Sequence, residues 1–126
     1  MIPSSISHGV TSMQLLASID AAATANASTA TGIDVTEYEG YLIAVQNVGV
    51  VDAGSITGTI ITSAASDLSD PTTVGTFVAV TTSNDPNIQA ISIPVNECQQ
   101  YVGYVGTIVT GGALVGVALL GKKKTV

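Results

Sequence analysis

His8 is the only histidine of this chain and Cys98 the only cysteine. Nucleophilic catalysis needs a base held beside the nucleophile and a third group that orients the base. His8 stands in a Ser-rich, irregular stretch where no such set can be built around it. A zinc site needs several His or Cys ligands, and one of each does not supply it. Cys98 reads as a small, half-buried apolar residue. Two carboxylate pairs remain. Glu37 and Glu39 flank Tyr38 and share one face if the chain is extended there, and Asp67 and Asp70 fall in one loop. Either pair has oxygen ligands for a weak Ca²⁺ site or the two acids of a glycosidase. Neither has the EF-hand spacing or an aromatic sugar platform, so solvated loop acids are the ordinary reading. Gly103-x-x-Gly106 lacks the helix and lysine of a phosphate loop, and Gly112-x-x-x-Gly116 matters only in a membrane helix. The expectation is a protein with no catalytic, cofactor or metal residues, and so not an enzyme.

The elements that would position these residues are strands. Val, Ile and Thr make up 44 of the 126 residues, a bias toward side chains that fit a pleated surface. Leu numbers only seven, with no Arg or Trp, which argues against a helical bundle or coiled coil. Nine acids are set against three lysines, all at Lys122, Lys123 and Lys124, so residues 1–121 carry no Lys or Arg. Such a body repels DNA and anionic lipid, so neither nucleic acid nor membrane is expected as a partner. It has no internal salt bridge available except to that basic end. One cysteine excludes an intrachain disulfide framework. Met1-Ile2-Pro3-Ser4-Ser5 lacks the charged and apolar regions of a signal peptide.

Tyr101 to Leu120 is uncharged and followed by Gly121 and three lysines, which mimics a membrane helix with a basic flank. Its five glycines and the pair Gly111-Gly112 speak for two strands instead. Turn signals at about ten-residue spacing delimit the others. Residues 13–23 fit a short helix or a strand, with a strand over 14–22 preferred because a helix there would stand alone; further strands are expected at 33–35, 41–48, 55–63, 76–82, 88–95, 101–110 and 113–120. Turns are expected at Glu37–Gly40, Asp52–Gly54, Ser83–Asn87 and Gly111-Gly112, the last as a hairpin, and a long loop over 64–75. Within 41–48, Tyr41, Ile43 and Val45 share one face and Leu42, Ala44 and Gln46 the other. The last strand is apolar on both faces, which hints at a subunit interface. The domains are then an extended arm at 1–12, an antiparallel β-sandwich at 13–121 and a basic tail at 122–126.

Gln100-Tyr101-Val102-Gly103-Tyr104-Val105-Gly106, a β-branched strand, Gly111-Gly112 and the run ALVGVALLG together resemble small tailed-bacteriophage virion proteins. Glu39-Gly40-Tyr41-Leu42-Ile43-Ala44-Val45 and the acidic loop Ser66-Asp67-Leu68-Ser69-Asp70 extend the resemblance over roughly residues 13–121. The basic residues common in the penultimate strand of that group are missing here. The resemblance implies an all-β, jelly-roll-like sandwich of the capsid decoration or cement type. Such a protein sits on the outer surface of the head, binds the major capsid protein and pairs with itself as a dimer or trimer. Ile2, Pro3, Ile6 and His8 of the arm are then contact candidates, with Leu114, Val117 and Leu119 of the last strand and Lys122, Lys123 and Lys124. Neck or tail proteins are the alternative within that group. A carbohydrate-binding adhesion module using Tyr38 or Tyr101 is the alternative outside it.

Overall fold

The structure is a computed structural model and describes residues 13–23, 27–29 and 31–124. The expected arm at 1–12, with Ile2, Pro3, Ile6 and His8, lies outside the described residues. The strands are β1 (Met13–Ala23), β2 (Ala27–Ser28), β3 (Ile33–Asp34), β4 (Tyr38–Val51), β5 (Ser55–Ser63), β6 (Thr72–Thr76), β7 (Val80–Thr81), β8 (Asn87–Pro94), β9 (Tyr101–Val109) and β10 (Ala113–Lys123). One 3₁₀ turn, Val95–Glu97, follows β8. All pairings are antiparallel.

One sheet has the order β1-β10-β4-β8. The other has the order β2-β9-β5-β6, with β3 on β9 and β7 on β5. Successive strands cross from one sheet to the other at most connections. This is the connectivity of a jelly roll, which closes a sandwich with few exposed edges. The facing sides bury Leu42, Ala44 and Val48 of β4, Ile56 and Ile60 of β5, Ile93 of β8, Val102 and Tyr104 of β9, and Val115, Val117 and Leu119 of β10. Alternation along each strand supplies this core, as a two-residue period requires.

Four local expectations are corrected. Gly111-Gly112 is no hairpin: β9 pairs β5 while β10 pairs β1 and β4, so the turn carries the chain between sheets. The left-handed residues there are Thr110 and Gly111, at φ 61° and 76°. The turn expected at Glu37–Gly40 is confined to Thr36 and Glu37, and Tyr38 already pairs with Lys123. The strand expected over 76–82 is interrupted. Thr76 pairs Thr59 and Val80 pairs Ile56, so three residues oppose two, and Phe77 and Val80 both point inward. Finally, no basic tail begins at residue 122, because β10 runs on through Lys123 beside β4. Residues 101–120 form two strands, and among the described residues no helix is long and apolar enough to cross a membrane.

One polar pair lies inside the core. The Tyr104 hydroxyl donates to Gln46 Oε1 at 2.7 Å, with Gln46 fully buried. Gln46 Nε2 has no partner among the described residues. Burial pushes the Tyr104 hydroxyl up to about 12. An unfolded tyrosine ionises near about 10, so the folded chain keeps a proton that the unfolded chain releases. The stability tied to this group is therefore intact below about pH 10 and lost as pH rises toward 12, at about 1.4 kcal/mol per pH unit. Urea unfolding at stepped alkaline pH is expected to show a steeper fall for the wild type than for Tyr104→Phe. Parallel slopes would refute it. At neutral pH Tyr104→Phe costs about 1–3 kcal/mol, because it strands Gln46 Oε1, and adding Gln46→Leu recovers much of that.

Candidate assembly surface

Most of the groups with chemistry are occupied by the fold. Lys122 Nζ lies 3.8 Å from Glu39 Oε1, and Lys123 Nζ lies 3.7 Å from Glu37 Oε2. The antiparallel register of β10 on β4 sets the first pair, and exposure limits each to at most about 1 kcal/mol. The two glutamates thus face lysines rather than each other as an acid–base pair. The backbone N–H of Lys124 donates to the Glu37 carbonyl at 2.8 Å. Asp34 accepts from the Thr36 hydroxyl and N–H, and Asp67 from the Ser69 N–H. Hydrogen bonds from Thr36 and from Ser69 hold these two carboxyls below their ordinary values. Asp85 accepts from the Val51 N–H at 2.8 Å and ties the 83–86 turn to the end of β4. Among the described residues no cluster of three or more His, Cys, Asp or Glu is placed to hold a metal ion. The Cys98 thiol reaches the Pro94 carbonyl, and burial, with Glu97 beside it, pushes it above its ordinary value. A thiol held protonated is a poor nucleophile.

The expected contact residues of β10 separate into two classes. Val117 and Leu119 are buried in the core, each 5% exposed, and are not available to a partner. Leu114, on the opposite side of the same strand, is 51% exposed. Both faces of β10 are apolar in sequence, so only the position of the second sheet decides which one is interior.

The outer face of the β1-β10-β4-β8 sheet is the surface that stands out. Register aligns Leu120, Ile43 and Ser92 across β10, β4 and β8, then Ala118, Val45 and Ala90, then Gly116, Asn47 and Ile88. At the next step β4 bulges: Gly49 and Val50 together oppose Leu114, and both leave the core side that Val48 and Val51 occupy. A Cβ on Gly49 would meet the Leu114 side chain at 3.4 Å. Tyr41, Val50, Ile88 and Leu114 are four of the six large apolar residues exposed among those described. Single exposed apolar residues are normal on any protein, whereas a contiguous set marks a contact surface. Ile88 and Val50 escaped the sequence reading. Each stands next to a turn, and the signal available was parity with Tyr41, Ile43 and Val45.

A second feature is a shallow open groove of about 460 Å³ at one end of the sandwich, lined by Tyr38, Glu39, Tyr41, Pro94, Asn96 and Lys124 among others. Tyr101 does not line it. It packs against Gly32 on the other sheet, so Tyr38 and Tyr101 form no common platform.

No protein-family model matches the chain, and no curated protein sequence matches it. Solved structures do. The chain is similar to a subunit described in work on Bacillus endospore appendages, a novel family of disulfide-linked pili. There the TM-score is 0.56 and the identity 12%, over 90% of this chain and 88% of that one. Weaker likenesses are to infectious bursal disease virus, Gx strain (TM-score 0.41, 18% identity, 87% of this chain and 32% of that one), and to the Tobacco streak virus coat protein (TM-score 0.40, 11% identity, 100% and 92%). At such identities the likeness is one of fold, and the pilus superposition is the one that carries it: the chain has the antiparallel jelly-roll sandwich that its own strand order displays.

Proposed function

We propose that this chain is a non-enzymatic structural subunit of a bacteriophage virion, a decoration or cement protein on the outer surface of the head. It binds the major capsid protein and stabilises the shell, without contacting nucleic acid or membrane. The observation that carries the reading is the uncharged apolar face of β10, β4 and β8 on an otherwise acidic sandwich, a surface suited to being covered in an assembly of many subunits. The resemblance of residues 13–121 to small phage virion proteins supports it, as does the use of most described acids in turns and strand pairing. Cement proteins act through many identical sites, so each contact need only be modest.

Quantitative mass spectrometry of purified particles tests this. A copy number approaching that of the shell protein is expected. A ratio far below it moves the chain to the neck or tail, and absence from particles removes the virion reading.

The fold likeness supports a second reading, a fibre subunit. Cys98 alone joins at most two copies, so a disulfide-linked fibre of these 126 residues needs another kind of link. Electron microscopy of the concentrated protein, with and without reductant, distinguishes filaments from discrete particles.

A further inference from the structure

We infer that two copies of this chain pack face to face through the outer surface of β10, β4 and β8, related by a two-fold axis. The inference deepens the structural-subunit reading by naming one partner and the surface that meets it.

Charge is the first argument. The chain carries a formal net charge of −6. In a two-fold contact each residue near the axis meets its own counterpart, so an acid there faces an acid. A chain this acidic associates with itself most readily through a surface without acids. The outward positions of β4, β8 and β10 between Tyr41 and Leu120 carry no Asp, Glu or Lys. The nearest described charges at one end are the mutually paired Glu39 and Lys122.

Area is the second argument. Three strands at the usual spacing are about 14 Å across, and nine residues of strand extend about 30 Å. The face thus offers roughly 430 Å² per copy, or about 860 Å² for the pair, the size of a weak, reversible contact. The relief of the face suits close approach. Gly116, Ala118 and Ala90 keep its middle low, while Leu114 and Ile88 stand at one end and Tyr41 at the other.

Sedimentation equilibrium of the full chain near physiological salt tests the inference. The wild type is expected to be a dimer with a micromolar dissociation constant. Leu114→Glu and Ile88→Glu each raise that constant about 100-fold or more, because each places an unpaired, desolvated acid inside the contact. Val109→Glu, equally exposed but on the other sheet, leaves it unchanged. Denaturation midpoints of all three variants verify folding. A wild type that stays monomeric at about 100 μM, a dimer that survives both face variants, or an equal effect of Val109→Glu overturns the inference. If the wild type is monomeric and Leu114→Glu abolishes binding to heads, the face belongs to the shell: the dimer is refuted and the virion reading stands. A dimer missing from purified particles has the opposite meaning.

Discussion

Replacing Gly54 by alanine is expected to destabilise the protein by about 3–5 kcal/mol, a large fraction of the roughly 5–15 kcal/mol that holds a typical domain folded. Gly54 sits in the turn between β4 and β5 with φ at 75°, a region that costs an L-residue energy before any contact is considered. The larger effect is contact. An added Cβ overlaps the Val109 carbonyl oxygen and lies 2.8 Å from that of Thr110. Both are backbone atoms and cannot rotate away. The approach is mutual. A Cβ on Gly111 would lie 2.8 Å from the backbone N and O of Ala53, and the Asp52 N–H donates to the Gly112 carbonyl at 2.8 Å. The 52–54 and 110–112 turns therefore interlock and fix where β10 enters its sheet. Gly40 is the control: its φ is 73°, and an added Cβ meets nothing within 4 Å. Gly40→Ala is expected to cost only about 1 kcal/mol. Urea unfolding of both variants separates conformational strain from overlap, and equal costs would refute the interlock.

The same corner shows what a sequence can and cannot disclose. Ser55–Ser63 was legible to the residue, because alternation and flanking turn residues agree there. Met13–Ala23, whose sequence fits a short helix as well as a strand over 14–22, is a strand. Two glycines after a strand, by contrast, are equally good chemistry for a hairpin and for a corner. Which forms depends on partners distant in sequence, here β5 for one arm and β1 and β4 for the other. Parity along β10 was also legible, but its inward side was not, since Val117 and Leu119 are no more apolar than Leu114 and Leu120. Lys122 and Lys123 read as a tail because a basic run at the end of a chain usually is one. Glu39 and Tyr38, opposite them on β4, extend the ladder instead. The turns capped by Asp34 and Asp67 carried a local signal, an Asp two residues before Thr or Ser, that identifies these acids as structural. The assembly surface was half visible, through the two-sided apolar character of β10. Its continuation onto Val50 depends on the bulge of β4, and that onto Ile88 on the pairing of β8 with β4.

Phe77→Ala is the second large expected effect, a loss of about 3–5 kcal/mol, since an aromatic ring 1% exposed leaves a cavity that a rigid sandwich fills poorly. The position of the ring is set at the interruption between β6 and β7. A regular strand cannot send both Phe77 and Val80 inward, because positions three apart fall on opposite faces. The extra residue opposite β5 resolves this, and it releases backbone groups from the ladder. Phe77 N–H donates to the Gly58 carbonyl at 2.9 Å. The Gln89 side chain takes up the next residue: its Oε1 accepts from the Val78 N–H and its Nε2 donates to the Val78 carbonyl, both at 2.8 Å. With the backbone so held, the Phe77 ring reaches Tyr104 at a centroid distance of 6.5 Å, its plane tilted by 57°, within the range over which aromatic rings attract. The ring therefore closes the core beside the Gln46–Tyr104 hydrogen bond. Gln89→Ala removes only two exposed hydrogen bonds and is expected to cost about 1 kcal/mol. Phe77→Leu, which keeps most of the apolar volume, is expected to cost clearly less than Phe77→Ala. Equilibrium unfolding of the three variants checks the order. A Phe77→Ala cost no greater than that of Gln89→Ala would mean that the bulge, and not the ring, closes this edge of the sandwich.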